Sequence, residues 1–304
     1  YEYTSSEELY DNYLHRNVIF KDTENLPNKI FTRADSMNPE DLWAWMNNLR
    51  TEGVDSLAIP HNTNISGGNA FSLNDFNGGS INNTYSINRM NNEPLVEITQ
   101  AKGTSETHPL LSLNDEWANF EVETGLIESN DINNLKGGFV RDAYLRGLKI
   151  ESKGIINPYK FGLVAASDTH VGGGSYDEQA FFSKIGVLDG TPELRGSVPF
   201  NKVIGYTVSK IRPNFFSNVD NKYYFSASDR LIHFGASGLT GVWAEENTRE
   251  AIYDAFRRKE TFATSGPRIK IRFFIGDKLS SIDINNENLI SYAYSNAITM
   301  GGDY

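Results

Sequence analysis

The chain has 304 residues, with 28 Lys and Arg against 39 Asp and Glu, a net charge of −11 and no cysteine. Disulfides and thiolate zinc sites are thereby excluded, and an acidic chain without a Lys/Arg cluster argues against a nucleic-acid partner. No run of about 18 apolar residues occurs, so no membrane-spanning helix is expected; the sequence reads as soluble, with cytoplasm, periplasm and secretion all left open.

Residues 5–16 read as a helix capped by Ser5 or Ser6, with Leu9, Tyr10, Tyr13 and Leu14 on one stripe and His15 at the surface. A stronger helix is predicted over 38–52. There Asn38 is the N-cap, Pro39 the first helical residue, and Leu42, Trp45, Met46 and Leu49 the core face, up to Gly53. Val54 to His61 follows as a short strand, and helix–turn–strand order is the rhythm of an α/β domain with parallel strands. In such folds ligands gather beyond the carboxyl ends of strands, where His61 lies.

The Asn/Gly/Ser-rich stretch 62–92 reads as a long loop of functional character. A strand over 94–98 carries Glu97 and leads into a segment with Lys102 and Glu106. Residues 109–122 read as loop or short helix. A helix over 134–149 is expected to turn Phe139, Ala143 and Leu145 inward. The run from Lys160 to Asp168 is an apolar strand ending in Asp168-Thr169-His170, with glycines after it; residues two apart on a strand share a side. Residues 176–239 are mixed. A strand at 240–244, a helix at 248–259 capped by Asn247 with Ala251, Ile252, Ala255 and Phe256 inward, and strands at 261–264 and 269–275 complete the chain. The alternation of the last strand suggests an antiparallel β appendage.

Three apolar strands thus end in metal-ligating residue types. His61, Glu97, Asp168 and His170 are the candidate metal ligands, with Mn, Zn or Fe as suitable ions. A structural Asp–His pair is the plain alternative for Asp168 and His170. Such a site points to hydrolysis, since a metal ion brings the pKa of bound water towards neutrality. Lys102 is a candidate to neutralise an anionic substrate oxygen, or is simply solvated. Arg268 is a candidate for bidentate phosphate binding, or for a structural ion pair. Glu106 is the third candidate catalytic residue, and which of Glu97 and Glu106 touches metal stays open. His108 and His233 read as surface residues.

Several stretches carry a resemblance: Ile59–Asn64 (IPHNTN), Val96–Glu106 (VEITQAKGTSE), Asn157–Gly162 (NPYKFG), Ser167–His170 (SDTH), Trp243–Arg249 (WAEENTR) and Ala263–Arg268 (ATSGPR). Together they resemble the domain-of-unknown-function family 3604, which is similar to the polymerase and histidinol phosphatase (PHP) superfamily. The resemblance runs from about Met37 to Tyr304. It implies a distorted seven-stranded β/α (TIM-like) barrel, a two- or three-metal centre at the carboxyl ends of its strands, and phosphoester hydrolysis. His61 would match a mid-chain metal histidine, and Asp168 with His170 the closing Asp-x-His ligands.

The sequence departs from that pattern: it has no His-x-His and no Asp-His dipeptide. The expectation is therefore a partial barrel over 1–239, an internal fragment lacking the first strands, followed by a C-terminal strand-helix-strand segment and β-rich extension over 240–304. The expected function is a metal-dependent phosphoesterase acting on a small anionic ester, with little turnover by this stretch alone. The alternative is a non-catalytic or degenerate barrel serving as a ligand-binding or interaction module.

Overall fold

The computed structural model describes residues 1–8, 11–123, 132–172, 190–225 and 238–303, and the single residues 177, 179 and 186. Elements in chain order are β1 (Glu2–Tyr3), β2 (Ser6–Glu8), β3 (Asp11–Tyr13), β4 (Arg16–Phe20), α1 (Pro39–Thr51), β5 (Ser56–Pro60), α2 (Asn83–Asn92), β6 (Leu95–Glu97), β7 (Thr99–Gln100), β8 (Gly103–Thr104), α3 (Ile132–Leu135), α4 (Val140–Glu151) and β9 (Gly162–Val164). They continue with α5 (Lys202–Ile211), β10 (Phe216–Val219), β11 (Lys222–Phe225), β12 (Leu239–Val242), α6 (Arg249–Arg258), β13 (Thr261–Thr264), β14 (Phe274–Ile275), α7 (Leu289–Asn296) and β15 (Ile298–Thr299).

The helix expected over 5–16 is replaced by strands. Asn12, within β3, takes a left-handed φ of 59°, β2 pairs with β3, and β1 and β5 flank β4 in one antiparallel sheet. Leu14, Arg16 and Val18 are buried at alternate positions, the period of a strand. Val18 and Ile19 are β-branched and Phe20 is aromatic, so pairing with the fully buried β5 outweighs the helical pattern.

Helix α1 forms as its sequence dictates. Asn38 accepts from the amide of Glu40, Pro39 opens the first turn, and Leu42, Met46 and Leu49 are buried. Trp43 is buried as well, whereas Trp45 is half-buried. The stretch 62–92 is less irregular than its composition suggests, because Asn82 caps α2 through the amide of Tyr85 and a short 3₁₀ turn spans Thr63–Ile65. In α4, Phe139 and Ala143 are buried, but Leu145 lies outside at 66% exposure. Thr248, not Asn247, caps α6. Of the strand expected over 269–275 only Phe274–Ile275 pairs, with β15.

Strands β6 and β9 are parallel, with Glu97 opposite Val164. Strand β5 lies beside β6, and β13 beside β9. The sheets are small and separate, and no closed barrel forms among the described residues. Leu57 and Ile59 of β5, Leu95 of β6, Val164 of β9 and Tyr253 of α6 share one core cluster. The segment after residue 239 packs on this body: Thr240 Oγ1 bonds both the amide and the carbonyl of Ala165, and Arg257 donates to Asp55 and to Ser56 O. No helix among the described residues is long and apolar enough to cross a membrane.

A buried charge cluster ties β4 to the helices. Glu93 Oε1 accepts from Arg16 Nε at 2.9 Å and from Trp43 Nε1 at 2.8 Å, and its other oxygen lies 3.1 Å from Arg89. All four side chains are buried. Removing the carboxylate leaves two guanidinium ions in the interior without their counter-charge. Glu93→Ala is therefore expected to lower stability by about 3–5 kcal/mol, measured by urea denaturation; a loss under about 1 kcal/mol, as for an exposed pair, would contradict this.

Candidate functional site

Two neighbouring strand ends bring two histidines together. Arg16 pairs with Pro60 across the β4–β5 ladder, so His15 and His61 both fall just beyond its last pair, and the His61 amide donates to His15 O at 3.2 Å. Their rings stand edge-on with centroids 5.6 Å apart, and Tyr13 stacks on His15 at 4.6 Å. Glu2 reaches in from β1: its Oε1 lies 3.0 Å from His15 Nδ1 and 3.4 Å from His61 Nε2. Hydrogen bonds to the two imidazoles hold the Glu2 carboxyl well below the usual carboxylate range. Burial lowers the basicity of His15, and the charges of His61 and Lys102 add to that effect against the pull of Glu2.

Ligand atoms of Glu2, His15 and His61 all lie within 4.8 Å of one another, the one such group of three among the described residues. An ionised Glu2 carboxylate and a His15 imidazole biased towards neutrality match the protonation state that metal binding requires. The buried Nδ1 of His61 also has no hydrogen-bond partner among the described residues. The donor set therefore fits a divalent ion of the Zn, Mn or Fe type.

Around this trio lie three of the residues expected from sequence. Glu97, buried at the end of β6, accepts from the amide of Asn62 at 3.3 Å. Burial first, and the charge of Asp168 second, push its carboxyl up to about 7, against the opposing influence of His61. Lys102 sits in the two-residue loop of the β7–β8 hairpin, where Gly103 has φ +93° and no room for a side chain beside Glu123. Its ammonium pairs with the Asp168 carboxylate.

His170 is placed differently. Strand β9 stops at Val164, and Asp168 has a left-handed φ of 54°, so the two-residue periodicity of a strand no longer holds between Asp168 and His170. His170 is exposed, with Nδ1 2.8 Å from Asp168 O. Glu106 pairs with Arg141 in a neighbouring cleft. Arg268 donates to Thr264 Oγ1 at 2.9 Å and closes its own loop. His108, expected at the surface, is buried instead: it accepts from the Leu110 amide and lies against Phe139, and burial lowers its pKa. His233 and the glycines at 173 and 174 lie outside the described residues.

Sequence reasoning missed Glu2 and His15. The signal was there: β-branched and aromatic residues follow His15, and Leu14, Arg16 and Val18 alternate, which puts His15 at a strand end like His61.

The fold and site define an α/β protein with a histidine–carboxylate cluster at the ends of adjacent strands. The family described as Protein of unknown function (DUF3604) matches residues 1–304, and the chain belongs to it. Neither a curated protein nor a solved structure matches the chain.

Glu97 makes the metal-free protein pH-dependent. Its folded pKa of about 7 lies above the model-peptide value of 4.5, so the folded state binds the extra proton between these values and stability falls as pH rises through that window. Below pH 4.5 both states are protonated and no difference remains. Glu97→Gln mimics the protonated form. It is expected to stabilise the metal-free protein at pH 8 by an amount of order 3 kcal/mol, and to change little at pH 4.5. Urea midpoints at the two pH values measure this; equal effects at both would show that the carboxyl is not strained by burial.

Proposed function

We propose that this chain is a metal-dependent hydrolase of small anionic esters, with phosphoesters as the first candidate, on a distorted barrel related to the PHP superfamily. The observation that carries the reading is the convergence of Glu2, His15 and His61 on one position at strand ends. In this reading those three side chains hold a divalent ion, and Asp168 lies within electrostatic reach through Glu97. When bound, the ion supplies Lewis acidity to the site.

The protein groups divide the remaining work. Glu97, with its carboxyl near neutrality, holds or releases a proton at physiological pH, which suits a general acid–base. Lys102 carries the cation that meets an anionic substrate oxygen, and its pairing with Asp168 holds it at the centre before substrate arrives. The buried strand ends exclude water from one side. An overall charge of −11 favours a small ligand over nucleic acid.

Titration calorimetry with Zn²⁺ and Mn²⁺ tests the centre. The wild type is expected to bind at least one ion per chain, and His15→Ala or His61→Ala to weaken binding by about a hundredfold or more. Absence of binding by the wild type, or equal binding by both variants, sinks the metal reading. Hydrolysis of p-nitrophenyl phosphate should be lost in chelator and restored by the ion. Lys102→Met is expected to raise KM for this anion about tenfold, with metal affinity not reduced; an unchanged KM would remove Lys102 from substrate binding.

A further inference from the structure

Beside the histidine centre lies a second feature that the proposed chemistry does not use. A cleft of about 330 Å³ is lined by Thr104, Glu106, Trp117, Phe120, Arg141 and Pro267. Trp117 is 72% exposed and Phe120 47%. Exposed indoles are uncommon on a folded surface and mark contact sites when grouped.

The backbone that carries Trp117 is pinned. Its amide donates to Asp115 Oδ1 at 2.9 Å, the Phe120 amide donates to Trp117 O at 3.0 Å, and Asp115 Oδ2 accepts from Arg141 Nη1 at 2.6 Å. Arg141 Nε donates in turn to Glu106 Oε1 at 3.0 Å, and the Arg141 amide donates to Glu106 O. The facing wall is the 265–267 turn, where Gly266 lies against the Phe120 ring. The turn is thus held by three polar contacts, and its anchor Arg141 by two more to Glu106, while the indole is left in solvent. Ordered backbone with an unburied aromatic face is the architecture of a stacking platform.

Charge decides what stacks there. Two carboxylates, Glu106 and Asp115, surround one guanidinium, so this edge of the cleft carries net negative charge and disfavours an anion. The carboxylates keep lone pairs beyond those used by Arg141, and the guanidinium keeps N–H groups, so the cleft that holds Trp117 and Phe120 also offers adjacent acceptors and donors. Vicinal hydroxyls of a ring match such an edge, and the apolar C–H face of a pyranose matches an indole. We propose that this cleft is a binding subsite for a neutral pyranose ring, with Trp117 as the platform and Glu106 with Arg141 as the hydroxyl-reading edge. The Ser105 amide donates to Ile98 O, one residue after Glu97, so the segment carrying Thr104 and Glu106 adjoins the centre; only the corollary that the ester would be a sugar ester rests on the hydrolase reading.

The test uses the chelated, metal-free full chain, so that its outcome is separate from that of the metal titration. Saturation-transfer NMR and tryptophan fluorescence are read against methyl pyranosides of the gluco, galacto, manno and xylo series, with adenosine as a planar competitor. Expected are saturable binding of at least one pyranoside, a loss of about tenfold or more in Trp117→Ala, retention in Trp117→Tyr, and weakening in Glu106→Gln. The same sugar should protect Trp117 of the wild type from N-bromosuccinimide oxidation, mapped by peptide mass spectrometry, which does not depend on any variant folding. No saturable binding across the series, no protection of Trp117, or tighter binding of adenosine than of any sugar would overturn the proposal.

Discussion

The register of β4 against β5 is the constraint on which the site depends. Arg16 opposite Pro60 sets His15 beside His61, and Tyr3 opposite Arg16 brings Glu2 to the same place from β1. Side chains alternate along a strand, so a slip of one residue would send His15 to the helix side and Arg16 to the imidazoles. What prevents that slip is the far face of the same strand. Leu14 and Val18 are buried there, and the Arg16 guanidinium is locked between Glu93 and Leu14 O. A buried ion is tolerated only with its partner in place. The Arg16–Glu93 pair therefore acts as a register pin, and the trio on the opposite face inherits its geometry.

The site concentrates an electrostatic conflict. Glu2, Glu97 and Asp168 approach two imidazoles and one lysine, and Glu97 is both buried and near a like charge. Its raised pKa is the consequence of that crowding, since a low-dielectric surrounding disfavours the charged form. The buried charges of Arg16, Arg89 and Glu93 are, by contrast, compensated. An uncompensated cluster of this kind is more common at sites that act on ligands than in cores that only pack. The pyranose cleft differs in kind: its charges are exposed and mutually paired, and its distinctive feature is apolar surface held out on a fixed backbone.

Much of the architecture was legible in the residues. Asn38-Pro39 announced α1, and the apolar runs announced β5 and β6 with His61 and Glu97 at their carboxyl ends. Family membership was legible in motifs spread along the chain and extends over all of it. The misreadings share one cause. Residues 5–16 carry a helical stripe and capping serines, but their partners are β4 and β5, and a strand's stability comes from cross-strand neighbours that the local sequence does not contain. His15 was lost with that assignment. Asp168 and His170 separated for a related reason: the strand ended four residues earlier than its apolar run, and the turn through Asp168 broke the period.

By itself the amino-acid sequence determined the helices with strong caps, the buried central strands, the lack of thiol chemistry, the acidic charge and the strand ends that carry His61 and Glu97. Only the tertiary structure decided which side chains meet: Glu2 and His15 with His61, Lys102 with Asp168, and Glu106 with Arg141 rather than with the histidines. The physical reason is range. Caps and periodicity act within a few residues and are written locally, whereas Glu2 and His61 are joined by strand pairing and by a buried ion pair whose members lie 77 residues apart.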